Sequence, residues 1–291
     1  MGYLNSVNQG ARHMSKIPEI HEEKQTETIA GVERALFIIE RLADSREGLS
    51  FTEILNLLGV NKSIAFKLLN TLIATQYVFK DEHSGNYCLT YRISNVGMRK
   101  MSRSRLLNQS QVILRELADQ TGEFIRLAVV EQDAITWVMS ILTKKRILQI
   151  DPNYSTEITF HTHAAGKAWL ATLDPADARR LILARGLPRM TPHSLVDIKK
   201  IMADLRLTAE RGYAISYEEH GLGVGAVGAP ILIRPFDQDE PLCVGVITLA
   251  APVAHMDRPA LEQCAPKVIA AAEKLAAVWP QVRVGELHEE A

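Results

Sequence analysis

Between positions 61 and 70 the chain sets Asn61, Lys62, Ser63, Lys67 and Asn70 around Ile64 and Phe66. Short hydrogen-bond donors, two cations and an aromatic ring are what an α-helix needs to meet phosphates and base edges in a DNA major groove. The spacing predicts that helix. Ala65, Leu68, Leu69, Leu72 and Ile73 fall at i, i+3, i+4, i+7 and i+8, one buried stripe, which leaves the polar set exposed near the N-terminal end. Asn61 is a natural N-cap. Ahead of it, Ser50-Phe51-Thr52-Glu53 has capping-box spacing. Ile54, Leu57 and Leu58 supply an apolar face, and Gly59 is suited to end a helix in a left-handed conformation. Residues 50–73 therefore read as two short helices with a tight turn. An ordinary helical hairpin in a core has the same signature, and the flanking sequence decides between the two.

Other patterns offer different chemistry. His161-Thr162-His163 on an extended segment points both rings to one face, as zinc requires, and Glu218-Glu219-His220 is the nearest thing to a set of further ligands or a hydrolytic base. No third ligand is spaced to either segment, so surface or pocket-lining histidines are the better reading. Gly223-Val224-Gly225-Ala226-Val227-Gly228 matches GxGxxG. A dinucleotide site needs a strand before the glycines and a helix after them. Here they run into the strand-like Ala229-Pro230-Ile231-Leu232-Ile233, and we read them as a close-approach loop leading into a pocket-lining strand. Cys88, Cys243 and Cys264 are far apart and odd in number, which makes neither a disulfide framework nor a CxxC metal pair. Cys243 opens the apolar run CVGVITLAA and reads as a small core residue. No catalytic residue, metal or cofactor is expected.

The elements that must position these residues fit into two domains, for which 291 residues are enough. With 47% hydrophobic and 23% charged residues the composition is that of an ordinary soluble globular protein. No apolar run approaches the roughly 20 residues of a membrane span, and MGYLNSVNQGARHMSK lacks the apolar core of a secretory signal. With the sparse cysteines this predicts a cytoplasmic protein. The net charge of −1 hides an asymmetry: residues 28–105 hold 11 Lys/Arg against 7 Asp/Glu, a net of +4, whereas 106–291 hold 19 against 23, a net of −4. This is the pattern of a basic binding module joined to a near-neutral one.

Residues 1–27 are polar and aperiodic and read as a flexible tail. Val32, Ala35, Leu36, Ile39, Leu42 and Ala43 mark one face of a helix over about 28–45. After the helix pair, Tyr77–Lys80 and Tyr87–Thr90 flank a polar loop containing glycine, which predicts a β-hairpin. Three helices and a hairpin are the layout of a winged helix-turn-helix. At this point the chain resembles the IclR family of bacterial transcription regulators. The resemblance is carried by Gly48-Leu49-Ser50, Leu58-Gly59-Val60, Lys67-Leu68-Leu69-Asn70-Thr71-Leu72 and Ser84-Gly85-Asn86-Tyr87-Cys88-Leu89. It implies DNA contacts from Ser50, Thr52, Asn61, Lys62, Ser63, Ile64, Phe66, Lys67 and Asn70, and from His83 and Asn86 in the wing. Family members usually carry Arg where Lys67 stands. Lysine keeps the charge but loses the bidentate fork, so a phosphate contact suits it better than guanine. Phe66 stands where smaller or more polar residues, or His and Tyr, are common. Contact with a thymine methyl and packing on its own protein are its two readings.

Residues from about 94 to 118 read as a linking helix, with Arg99, Lys100, Arg103 and Arg105 at its start either reaching flanking phosphates or simply solvated. Beyond it strands are expected at 124–130, 134–140, 147–150, 213–217, 226–233 and 242–250, and helices at 164–173, 175–186, 195–211 and 259–279, an α+β arrangement. The resemblance continues through His163-Ala164-Ala165-Gly166-Lys167-Ala168, Arg211-Gly212-Tyr213, Glu218-Glu219 and Ala229-Pro230-Ile231, so it spans about 28–279. It implies a GAF-like effector-binding domain with its pocket between the start of the helix at 164 and the central strands, where helix N–H groups attract a carboxylate. Carried over position by position, it places Ala164 and Ala165 at the helix start, Ser216 where Asp is frequent, Ala226 where Cys is frequent, and Thr248 and Ala250 where Ser is common. Trp137, Met139, Ile141 and Phe160 are expected near the same region as pocket or core residues, and His161 and Glu219 complete the candidate set. Asp to Ser216, Cys to Ala226 and Ser to Ala250 remove polar or thiol groups. A pocket with fewer buried polar groups to satisfy favours a small organic acid with an apolar or aromatic body over a very small polar acid such as glyoxylate.

The expectation is a ligand-responsive DNA-binding transcription regulator: a tail at 1–27, a winged helix-turn-helix at 28–93, a linker helix at 94–119, an effector-binding domain at 120–280 and a second tail at 281–291. Its partners are double-stranded operator DNA and a small organic acid, with no membrane. One recognition helix reads too few base pairs, so a homodimer is expected, and the resemblance implies dimers that pair into tetramers. The alternative is a small-molecule or metal-dependent hydrolase built on the α+β half.

Overall fold

A computed structural model describes residues 28–143, 148–151, 157–235 and 239–280; the tails expected at 1–27 and 281–291 lie outside them. The chain divides into two compact units between Arg103 and Ser104.

In the first unit, α1 (Ala30–Ala43), α2 (Phe51–Leu58) and α3 (Lys62–Ala74) precede a hairpin of β1 (Val78–Lys80) and β2 (Tyr87–Leu89), and α4 (Arg92–Arg103) closes it. Ile38, Leu42, Ile54, Leu58, Ala65, Leu68, Leu69, Leu72, Val78 and Tyr87 form its core. The α1 face differs from the expected one. Ile38 and Leu42 are buried, whereas Val32 and Leu36 are 53% and 56% exposed. The run Ala35-Leu36-Phe37-Ile38-Ile39 carries two overlapping helical stripes, and packing chooses the one that meets α2 and α3. Ile73, expected at the end of the α3 stripe, stays 36% exposed. The hairpin is antiparallel, Val78 opposite Leu89 and Lys80 opposite Tyr87. Leu49 joins it by exchanging two backbone hydrogen bonds with Tyr87, of 3.0 and 2.8 Å. Gly48 makes this possible. Its φ is +74°, and a β-carbon there would strike the Tyr87 carbonyl.

The single linker helix expected over 94–119 is two. After α4, Ser104 is extended (φ −79°, ψ 109°) and caps α5 (Arg105–Thr121) by accepting the Leu107 N–H. A serine hydroxyl that bonds local backbone competes with continuous helix, and the apolar periodicity on either side does not register that break.

The second unit adds β3 (Phe124–Glu131), β4 (Ala134–Ile141), α6 (Ala164–Leu170), α7 (Pro175–Arg185), α8 (Ile198–Arg211), β5 (Ala214–Tyr217), β6 (Val224–Ile233), β7 (Leu242–Pro252) and α9 (Arg258–Val278). Its strands form one antiparallel sheet in the order β4-β3-β7-β6-β5. The strand expected at 147–150 is absent: residues 148–150 are irregular, and 147 lies outside the described residues. Period-two alternation gives the sheet two faces. Ile125, Leu127, Ile215, Val227, Ile247 and Leu249 pack with α5 and α9. Ala128, Ala214 and Val246 pack with α6, α7 and α8. Of the GxGxxG glycines, Gly223 sits in the turn ahead of β6 at φ +78°, whereas the other two belong to this packing. Both lie in β6, where a β-carbon on Gly225 would be 2.6 Å from Leu261 of α9 and one on Gly228 would be 3.0 Å from the Ala164 carbonyl of α6.

Candidate functional site

In the first unit, Ser50 accepts the Glu53 N–H while Glu53 Oε2 accepts the Ser50 N–H at 2.7 Å, a complete capping box. These bonds hold the Glu53 carboxyl below the usual carboxylate range. Gly59 then takes φ 60°, ψ 28° and its N–H donates to the Leu55 carbonyl, closing α2. The axis turns by 113° into α3. Asn61 Oδ1 accepts the Ile64 N–H at 3.0 Å, which caps α3 and leaves the Asn61 amide N–H₂ at the exposed end. Lys62, Ser63, Ile64, Phe66, Lys67 and Asn70 are all exposed along one edge of α3, and Thr52 is exposed on the first turn of α2. Phe66 is 54% exposed and so is not a core residue of its unit. In the wing, Asp81 accepts from both the N–H and the hydroxyl of Ser84, at 2.8 and 2.6 Å, which shapes the tip and leaves His83 exposed. Asn86 donates its amide to the Glu47 carbonyl at 3.1 Å, tying the wing to the loop before α2.

In the second unit a cavity of about 40 Å³ opens over the α6 side of the sheet. That is room for about two or three water molecules. Phe124 and Arg126 enter from β3, Trp137 from β4, Ser216 from β5, Val224 and Ala226 from β6, and Thr248 and Ala250 from β7. The register explains the grouping, since Phe124 pairs with Ala250 and Arg126 with Thr248. Ala164 and Ala165 close it from the first turn of α6, with His163, His220, Gly221 and Ile150. Gly166 lets α6 lie this close, because a β-carbon there would strike the backbone of Phe160.

The polar side chains of the wall are tightly arranged. His163 Nδ1 lies 2.9 Å from the Thr159 backbone nitrogen and 3.3 Å from the Thr159 carbonyl oxygen, which holds the ring against the turn before α6. The His163 and His220 rings are 3.7 Å apart, centroid to centroid. Burial, then the neighbouring His220, holds His163 well below the usual imidazole range. Burial likewise pushes His220 down to about 4. Both rings are therefore neutral at neutral pH. Arg126 lies with its guanidinium carbon 3.8 Å from the Trp137 ring centroid and 5.7 Å from that of Phe124. Burial lowers it to about 10, so it stays charged at neutral pH. The Ser216 hydroxyl donates to the Thr162 carbonyl at 2.6 Å.

Residues 98–277 match the family model described as the bacterial transcriptional regulator IclR C-terminal domain, and residues 31–82 match the IclR helix-turn-helix domain. The chain belongs to the IclR family. BhcR, an HTH-type transcriptional regulator of Paracoccus denitrificans, is 30% identical over 259 residues, which are 89% of this chain and 90% of that protein. The p-hydroxybenzoate hydroxylase transcriptional activator of Acinetobacter baylyi is 28% identical over 220 residues, 74% of this chain and 80% of that protein. In three dimensions the chain is similar to an IclR-type regulator of Silicibacter sp., with a TM-score of 0.73 at 22% identity over 87% of this chain and 97% of that one. The protein is a transcription regulator and not an enzyme.

Within this IclR-type sensor unit the cavity gathers Trp137, Ala164, Ala165, Ser216, Ala226, Thr248 and Ala250 from the residues expected there. It leaves out five. Met139 and Ile141 pack toward α5 and α9 on the opposite face. The reason is a β-bulge: Leu127 pairs with Met139 but Ala128 with Trp137, so Val138 is an extra residue and the side-chain parity flips. Phe160 is buried edge-on against Trp169, ring centroids 5.2 Å apart. His161 Nε2 meets the Pro188 carbonyl at 3.1 Å, away from His163. Glu219 grips Lys167, whose ammonium is also 2.9 Å from Asp204. With His161 and Glu219 so engaged, no group of three or more metal-ligating side chains converges among the described residues. The cavity also holds Phe124 and Arg126, which the sequence did not single out, and His163 and His220, which it offered as surface or pocket-lining histidines. Arg126 is two residues from Phe124 on β3, so parity alone would have found both once the inner face of that strand was known.

Proposed function

We propose that this regulator reads a pseudo-palindromic operator as a homodimer, through the exposed edge of α3 and the wing. We further propose that a small organic acid with an apolar or aromatic body, held in the cavity of the second unit, sets its operator affinity. Residues 28–93 are then the DNA-binding module, 94–119 the two-helix link and 120–280 the sensor, working in the cytoplasm where operator DNA is. Among the described residues no single helix is long and apolar enough to cross a membrane.

One observation carries the effector class: the cavity wall is aromatic and aliphatic, with Phe124, Trp137, Ile150, Val224 and the four alanines at 164, 165, 226 and 250, and its Ser216 hydroxyl is committed to a backbone carbonyl. A very small polar acid could meet the polar side chains of the wall but would leave this apolar part of it uncovered. The relative named for p-hydroxybenzoate hydroxylase supports an aromatic acid. Ligand binding changes DNA binding only if the acid has different affinities for two arrangements of the protein.

The test is fluorescence anisotropy on DNA from upstream of the protein's own gene, titrated with and without acids. Benzoate-type acids are expected to shift the binding midpoint, and glyoxylate and pyruvate to leave it in place. A shift by glyoxylate or pyruvate with none by any aromatic acid would overturn the effector class.

A further inference from the structure

Arg99, Lys100 and Arg103 precede the helix break at Ser104, and the boundary between the two compact units falls at the same place. These cations therefore belong to the helix-turn-helix unit and not to the sensor. The start of α4 is fixed to that unit. The Arg92 N–H donates to the Thr90 hydroxyl at 3.2 Å, and that hydroxyl donates to the Gln76 carbonyl at 2.6 Å. The Arg92 guanidinium donates to Gln76 Oε1 at 3.2 Å and lies 5.4 Å from the Tyr77 ring centroid. Gln76 and Tyr77 lie just after α3 and Thr90 just after β2, so α4 springs from the junction of α3 and the wing.

Beyond that junction α4 buries none of its residues. At 3.6 residues per turn, Arg92, Arg99, Lys100 and Arg103 gather within about 100° of arc, with only Val96 among them. Ile93, Gly97, Met98 and Met101 lie on the other side. The helix contains no Asp or Glu to neutralise its cationic face. Arg92 is taken up by the anchor, and Lys100 has a partner within the protein. Arg99 and Arg103 are exposed. Four residues separate them, about 6 Å along the axis. That length spans roughly two phosphates of one DNA strand, at about 3.4 Å of duplex axis each.

Resting on the operator reading above, we infer that the Arg99–Arg103 edge of α4 is a further DNA-contacting surface, which grips backbone phosphates beyond those met by α3 and the wing. Each guanidinium offers a planar fork to phosphate oxygens. Phosphate contacts carry no base code, so this surface adds affinity without sequence preference. A helix of 12 residues that buries none of them is marginal by itself, and a polyanion along one face steadies it. Cations in the last turn also suit the negative end of the helix dipole. That role alone would move stability and leave the salt dependence of DNA binding untouched.

Fluorescence anisotropy at several salt concentrations tests this on the full chain, with DNA from upstream of the protein's own gene and a random duplex of equal length. Arg99→Gln/Arg103→Gln is expected to lower the slope of log K against log salt by about 0.9 for each phosphate released, or about 1.8 for each protomer. Both duplexes should lose affinity by the same factor. Arg99→Lys/Arg103→Lys, which keeps the charges, should keep the slope close to native. Arg179→Gln/Lys199→Gln removes two exposed cations of the sensor unit and should leave the slope where it was. Circular dichroism confirms the fold of each variant. If the double Gln variant does not fold, Arg99→Gln and Arg103→Gln singly carry the test at half the effect. A native slope in the folded Gln variant overturns the inference, and so does an equal fall in the sensor control. A loss confined to the upstream DNA with the slope unchanged overturns it as well, because that is base reading. Failure of the native protein to bind either duplex at low salt defeats the operator reading itself.

Discussion

Phe66 and Lys67 are neighbours on the exposed edge of α3, yet they should contribute to DNA binding in different ways. Lys67 is a flexible point charge suited to a phosphate, so Lys67→Met is expected to weaken operator and random DNA alike. It should also reduce the slope of log K against log salt by about 0.9 for each phosphate that each protomer no longer neutralises. Phe66 carries no charge and is half exposed. Phe66→Ala should weaken the operator and spare random DNA, with the salt slope unchanged. Anisotropy titrations at several salt concentrations measure both. An equal loss on operator and random DNA for Phe66→Ala would remove it from base recognition. At this scale the sequence told which α3 residues are exposed, because capping and stripe rules fix which residues of a short helix face outward. It was less informative for Asn86. Its type suits DNA, but its amide is already bonded to the Glu47 carbonyl.

Among the elements, α6 is the one that joins the cavity to the rest of the sensor. Its Lys167 is 1% exposed and bonds Glu219 at 2.6–2.7 Å, Asp204 at 2.9 Å and the Ile215 carbonyl at 3.2 Å. Burial raises Glu219 against the opposing pull of the Lys167 charge. Lys167→Met would leave two carboxylates gathered without their cation, a loss of about 3–5 kcal/mol. For a unit of this size that lowers the melting temperature by roughly 10 °C. Adding Glu219→Gln should recover part of the loss, and thermal unfolding at neutral pH measures it. An unchanged melting temperature would show that the cluster does not hold α6. Sequence periodicity placed α6 and most strands to within a few residues. It missed the break at Ser104 and the bulge at Val138, because each depends on one residue leaving the regular pattern to satisfy a local or cross-strand bond.

For the whole molecule, the sensor and the DNA-binding module influence each other only through a coupling free energy, and that coupling is reciprocal. If an acid changes operator affinity by a given factor, operator DNA must change acid affinity by the same factor. Calorimetry of the acid with and without saturating operator, set beside anisotropy of operator with and without saturating acid, checks this. Equal factors are expected. Unequal ones would mean that a further equilibrium, such as assembly of protomers, responds to one ligand and not the other.

By itself the sequence determined the fold class, the family and the exposed edge of α3 that is proposed to read DNA. Each rests on order along the chain: a capping box, a left-handed glycine, a stripe at helical spacing, a hairpin, and motifs spread over both halves. The makeup of the cavity was decided only by the tertiary structure. Its wall collects side chains from five strands, one helix and the loops beside them. Which of two alternating faces each residue joins depends on register, and one extra residue at Val138 reverses that choice for Met139 and Ile141. Arg126 entered the cavity for the same reason. In sequence it is one charge within the apolar run Phe124-Ile125-Arg126-Leu127, and only the pairing of β3 with β4 set it on Trp137.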